Sequence, residues 1–185
     1  MIHVGLLGVD DTVELLDAIG RSRALHEPWV FLPATEEELR EYLSQPVEVR
    51  ITYGVREAQG RLAGVININS TIRGHFQSAF LAYYALSPYE RQGYMHAGLA
   101  AILEQAFVDH GLHRVEANIQ PENVASGRLV QGLGFRLEGH SPRYLRIGSQ
   151  WRDHDRYALT VEEWRAGGER VSSSDPRSLG ASTDV

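Results

Sequence analysis

The run Leu86-Ser87-Pro88-Tyr89-Glu90-Arg91-Gln92-Gly93-Tyr94-Met95-His96 joins an apolar stretch to the most regular helical pattern in the chain. Gly93 sits where a helix begins, and the free N–H groups of a helix start, together with the helix dipole, bind phosphate well. A phosphate-bearing ligand is therefore the first chemistry to expect here. The turn lacks the Lys-Ser/Thr of a P-loop and the spaced glycines of a dinucleotide fingerprint, which disfavours nucleotide hydrolysis and hydride transfer. A plain turn glycine remains the competing reading of Gly93. The histidines show no ligand spacing with neighbouring carboxylates, so no metal site is predicted. With no cysteine, thiolate metal sites, cysteine nucleophiles and disulfides are excluded.

The elements around the turn follow from periodicity. Residues 79–86 are rich in apolar and aromatic types and read as a buried strand, while Met95, Leu99, Ile102, Leu103, Ala106 and Phe107 mark one helix face, with Gly111 as its stop. Upstream, residues 2–7 read as a short strand and 10–22 as a helix; His26-Glu27-Pro28-Trp29 interrupts the pattern. Thr35 with Glu38 is a capping box opening a helix to residue 43. Residues 49–55 and 62–68 form a hairpin around Gly60, and Arg73-Gly74-His75 links onward. Downstream come a strand at 113–119, a helix at 121–133 and two strands at 136–147 and 151–159. The order predicts a mixed α/β sheet of about seven strands and about four helices, with ligands at strand C-termini around the central turn.

The length fits one domain, residues 1–165, followed by a polar and flexible tail at 166–185. The formal charge of −6 and the lack of a basic cluster argue against nucleic-acid binding. All 18 Lys/Arg positions are arginine, which genomic composition bias explains. No apolar run is long enough to span a bilayer and the chain does not begin like a signal peptide, so a cytoplasmic protein, monomer or homodimer, is expected.

Three motifs in order resemble one family. Gln92-Gly93-Tyr94-Met95 looks like the pyrophosphate loop of the GNAT acyltransferases. Asn118-Ile119-Gln120-Pro121-Glu122-Asn123-Val124-Ala125-Ser126, running on to Gly134-Phe135 and Glu138-Gly139, is similar to the RimJ/RimL branch, the ribosomal-protein alanine N-acetyltransferases. Tyr144-Leu145 through Trp151-Arg152-Asp153-His154 to Thr160 resembles the RimJ side, as do Leu25 with Pro28-Trp29 and Arg73-Gly74 with Phe76. The likeness spans residues 25–164.

The resemblance implies the GNAT fold, a central twisted mixed sheet flanked by helices, with acetyl-CoA as donor and an amine as acceptor. It implies a donor site at Arg91, Gln92, Gly93, Tyr94, Met95 and His96 and an oxyanion held by backbone near a bulge at Ala85, Leu86 and Ser87. Ser126 would assist the leaving thiolate, with Asn123 one turn earlier contacting CoA or a water; a bare N-cap is the alternative for Asn123. Relatives' helical tyrosine corresponds to Val130 and their carboxylate base to Arg143, which cannot accept a proton. Glu116, Glu90 or a held water is then the candidate base. Trp29, His75 and Tyr144 are the expected acceptor contacts. The implied acceptor is a protein N-terminal α-amine of ribosomal-protein type; a small amine such as an antibiotic or polyamine, or an inactive acyl-CoA-binding protein, is the alternative.

Overall fold

A computed structural model describes residues 2–173. Seven strands form one sheet in the order β1-β2-β3-β4-β5-β7-β6, where β1 is His3–Leu6, β2 Arg50–Arg56, β3 Leu62–Ile72, β4 Ser78–Ala85, β5 Arg114–Ile119, β6 Arg136–Ile147 and β7 Gln150–Thr160. All neighbours are antiparallel except β4 and β5. The helices are α1 Thr12–His26, α2 Glu36–Leu43, α3 Tyr94–Glu104, α4 Val124–Gly132 and α5 Val161–Ser173.

The central strands are buried on both faces, which is why they read as nearly continuous apolar runs. On one face Val55, Ile66, Ile68, Leu81, Val115 and Ala117 pack against Leu99, Ile102 and Leu103 of α3 and Val130 of α4. On the other, Val65 and Tyr84 pack against Leu15 and Ile19 of α1 and Leu39 of α2. Two glycines let α3 lie close to the sheet. A Cβ on Gly98 would stand 2.5 Å from Val55 Cγ2, and the Met95 sulfur occupies the space a Cβ on Gly64 would need.

Local signals place most boundaries. The Thr35/Glu38 capping box is formed, with Thr35 Oγ1 accepting from Glu38 N–H at 3.2 Å. The first helix runs four residues past the expected 22, because only Glu27, the residue before Pro28, must turn extended (φ −72°, ψ 134°). Beyond α3 the helix widens into a π turn, Gln105–Asp109, before Gly111 at φ +60° ends it. The expected boundary at 165/166 falls inside α5. That helix starts at a second capping box, Thr160 with Glu163, which reciprocal bonds of 2.9 and 3.5 Å close, and Trp164 stacks 5.4 Å from Phe107. The rest of the expected tail, residues 174–185, lies outside the described residues. Among the described residues no helix is long and apolar enough to cross a membrane.

Candidate active site

The turn before α3 is built for close backbone approach. Gly93 is the N-cap at φ +84° and Arg91 is also left-handed at φ +62°. The Gln92 amide donates to Pro88 O at 2.7 Å and fastens the loop. The first helical bond is Ala97 N–H to Gly93 O at 3.1 Å, so the N–H groups before it have no partner within the helix. Gln92, Gly93 and His96 are exposed, and the Tyr94 ring meets Tyr89 edge-on at 5.7 Å. Glu90, whose charge would oppose a phosphate, turns one carboxylate oxygen inward, where it is buried without a hydrogen bond.

Next to this turn the sheet opens. β4 and β5 pair only at Ser78↔Arg114, Ala79↔Val115 and Phe80↔Glu116, and then part. Leu86 N–H donates to Ala63 O at 2.9 Å, so even-numbered residues at this end of β4 bond to β3, and Tyr83 and Ala85 turn their backbone groups toward the opening. Of the three backbone positions expected to hold an oxyanion, only Ala85 faces it. Leu86 N–H is taken by Ala63 and Ser87 N–H by Ser22 Oγ at 2.9 Å. Nor is there a bulge at these residues: the β3–β4 register is regular from Asn69↔Phe80 to Gly64↔Ala85, and the irregularity lies at the far end, between Asn69 and Ile72. The free donor arises from strand divergence. His26 steadies this end, its Nε2–H donating to Ala85 O at 2.8 Å.

The opening leads into a cavity of about 550 Å³. Its floor is Arg50, Asn67, Asn69, Phe80, Ala82 and Tyr84, which alternation puts on the α1/α2 face of the sheet. Trp29, Val30, Phe31 and Leu32, between α1 and α2, make one wall; Tyr144, Leu145, Ile147 and His154 make another. At the split itself stand Tyr83, Asn123 and Ser126. Among the described residues no Asp or Glu lines it, and Arg50 is the one lining side chain with a permanent charge.

Two polar arrangements in the cavity can do chemistry. The Tyr83 and Ser126 hydroxyls are hydrogen-bonded at 2.7 Å, and burial pushes the Tyr83 phenol up to about 12, so it keeps its proton. Asn123 caps α4, its Oδ1 accepting from Ser126 N–H at 3.2 Å. His154 is 3% exposed, and its Nδ1 lies 3.0 Å from Arg152 O. A carbonyl only accepts, so Nδ1 carries the proton and Nε2 keeps a free lone pair. Burial holds this imidazole below its ordinary pKa, hence neutral near pH 7.

The remaining expected residues divide clearly. Trp29 and Tyr144 line the cavity; His75 is exposed in the β3–β4 connection, outside the lining. Glu116 is also outside, on the last paired rung of β4–β5, where Arg114 Nε binds it at 2.9 Å. Arg114 in turn holds Glu138 down to about 2. Glu116 thus faces an ion pair and not the cavity. Arg143 is exposed, its N–H bonded to Asp153 at 2.7 Å, and Val130 is buried in the core. The sequence alone assigns no role to Tyr83, His154 or Arg50. The adjacent Tyr83-Tyr84 pair was the available signal, since neighbours on a strand face opposite sides and two buried phenols need partners. Among the described residues no cluster of His, Asp and Glu could hold a metal ion.

The acetyltransferase (GNAT) domain model matches residues 7–136. The chain is 37% identical to the [ribosomal protein uS5]-alanine N-acetyltransferase of Escherichia coli over 106 residues, 57% of this chain and 55% of that protein, so it aligns with about half the length of that relative. RimJ of Mycobacterium smegmatis, solved in complex with CoA-disulfide, superposes with a TM-score of 0.82 at 26% identity, covering 93% of this chain and 88% of the other. The ribosomal-protein-S5-alanine acetyltransferase of Vibrio fischeri superposes at 0.79 with 25% identity, covering 88% and 94%.

Proposed function

Because the chain belongs to the GNAT acetyltransferase family, we propose that it moves an acetyl group from acetyl-CoA to the N-terminal α-amine of a protein, of the ribosomal-protein type named for its relatives. The observation that carries the choice of acceptor is the cavity: it is lined from both sides of the β4–β5 split, and among the described residues no carboxylate lines it.

In this reading, the pyrophosphate of acetyl-CoA lies on the N–H groups of residues 91–96, with Gly93 allowing close approach. The thioester carbonyl sits at the split, where Ala85 N–H receives the negative charge that develops as the amine attacks. An α-amine with a pKa of about 8 is already partly neutral near pH 7, and His154 Nε2 takes the proton it releases. Tyr83 donates to Ser126 Oγ, which directs the Ser126 proton at the departing sulfur. This pair fills the place of the tyrosine that Val130 replaces, and His154 that of the carboxylate that Arg143 replaces. Asn123 acts through the helix, by fixing the turn that carries Ser126.

Polyamines and aminoglycosides fit poorly. Each brings several positive charges that need carboxylates, and here they would meet Arg50 instead. A ribosomal acceptor also places the enzyme in the cytoplasm. Thiol release from acetyl-CoA, measured with alanine-starting and serine-starting peptides, spermidine and an aminoglycoside, tests the reading. Turnover with the peptides is expected; preference for the polycations would overturn the choice of acceptor, and CoA binding without any turnover would favour an inactive acyl-CoA-binding protein.

A further inference from the structure

The cavity floor contains an arginine whose charge no carboxylate among the described residues answers. Arg40, Arg56, Arg61, Arg114 and Arg136 are each paired with carboxylates, whereas Arg50 enters none of the ion pairs among the described residues. It is only partly exposed. Its Nε donates to Asn69 Oδ1 at 3.2 Å, one Nη reaches Tyr42 O at 3.5 Å, and the guanidinium lies 3.9 Å over the Tyr42 ring. That leaves several of its five N–H donors free. Beside it, the Tyr84 hydroxyl is buried with no hydrogen bond of acceptable geometry, although the residue is only 7% exposed and lines the cavity. Burial raises the Tyr84 phenol well above its ordinary value, with the Tyr42 hydroxyl adding to the rise and Arg50 opposing it, so Tyr84 stays a donor.

We infer that Arg50 and the Tyr84 hydroxyl form an anion subsite in the acceptor cavity, which takes a side-chain carboxylate at the third or fourth residue of the acceptor peptide. The inference rests on the cavity being the acceptor site, as proposed above. Free cationic donors, a buried phenol with no well-formed hydrogen bond and, among the described residues, no competing carboxylate are the arrangement a carboxylate completes.

Spacing selects where that carboxylate sits. Arg50, Asn69 and Phe80 form one cross-strand row, and Ala85, which faces the thioester carbonyl, is five residues further along β4. With strands about 4.8 Å apart and about 3.3 Å per residue, the Arg50 backbone is about 19 Å from Ala85. An arginine side chain spans about 6 Å, leaving about 13 Å to the reacting amine. A peptide extended by about 3.4 Å per residue reaches that distance with a side chain at position three or four. The α-carboxylate of a free amino acid, about 3.5 Å from its own amine, does not.

The test compares peptides that differ only by Glu or Gln at positions three and four. In the wild type kcat/KM is expected to favour Glu by about 10- to 100-fold, the range of a charge-assisted hydrogen bond. Arg50→Gln should remove that preference while leaving the Gln peptides within about threefold, Arg50→Lys should restore part of it, and Tyr84→Phe should reduce it by about three- to tenfold. Equal rates for Glu and Gln peptides in the wild type, or a preference that survives Arg50→Gln, would overturn the subsite; that is the result if Arg50 only braces Asn69 and Tyr42. Calorimetry of the N-acetylated peptides on the CoA-bound protein separates the two levels. Arg50-dependent preference for Glu without turnover of any peptide would retain the subsite and discard the reaction, whereas turnover with charge-blind binding would do the reverse.

Discussion

Ser126→Ala tests the leaving-group assignment, and the structure sets its expected size. The substitution removes one hydroxyl and leaves the helix cap intact, because Asn123 Oδ1 is bonded to the Ser126 backbone N–H. What is lost is a hydrogen bond to a sulfur that becomes anionic, about 1.5 to 3 kcal/mol, or about 10- to 100-fold in kcat. KM for acetyl-CoA should hardly change, since the interaction strengthens only as the thiolate departs. Tyr83→Phe removes the group that orients Ser126, at the cost of a neutral hydrogen bond of about 1 kcal/mol, or about fivefold. The decisive quantity is the double mutant. If the hydroxyls act in series, Tyr83→Phe should add less than about twofold in the Ser126→Ala background. Tyr83 should also produce no inflection in the pH profile below about pH 10, its phenol being raised to about 12. The assay is thiol release at saturating acetyl-CoA and alanine-starting peptide, with single-turnover measurement of the acetyl-transfer step. A Ser126→Ala enzyme with kcat within twofold of wild type, or fully additive losses, would refute the reasoning.

If His154 is the base, activity needs it neutral, so kcat should be full above its lowered pKa and fall as pH drops through it, with a midpoint below 6.5. His154→Gln should cost about 10²- to 10⁴-fold and abolish that limb; an unchanged limb would remove His154 from the role. Gly93→Val meets no atom within 4 Å, but must adopt φ +84°, a strain of about 1–2 kcal/mol, and intrudes where phosphate would lie. KM for acetyl-CoA should rise at least about tenfold, and unaltered affinity would end the phosphate-loop reading. Gly98→Val forces a side chain 2.5 Å from Val55 and should lower stability by about 1–3 kcal/mol, seen as a lower urea midpoint at unchanged slope. Acid should destabilise the fold in two stages. Buried His26 and His154, whose folded pKa values are lowered, give stability that is full above 6.5 and declines below it. Glu138 gives stability present above 4.5 and lost as pH falls toward about 2; in thermal melts His154→Gln should shrink the first stage, leaving the His26 part, and Glu138→Gln should shrink the second.

Local chemistry made much of this protein readable from its residues. Strand and helix periodicity placed seven strands and four of the five helices, the Thr35/Glu38 and Asn123 caps marked helix starts, and Gly93 marked the turn that must go left-handed. The fifth helix had a local signal too, the Thr160/Glu163 box, hidden behind a polar composition that reads as a tail. The working parts of the cavity are of another kind. Period-two alternation tells which face a strand residue takes, but not where a strand leaves its neighbour; three rungs of β4–β5 pairing, and no bulge, expose Ala85. Tyr83 and Ser126 are 43 residues apart, and Arg50 reaches the cavity because β2, β3 and β4 stack in one register. Glu116 looks like a base in the sequence, and only the nearby Arg114 and Glu138 show that its charge is already engaged. Long-range pairing decides which side chains meet, and both proton affinity and reach depend on those meetings.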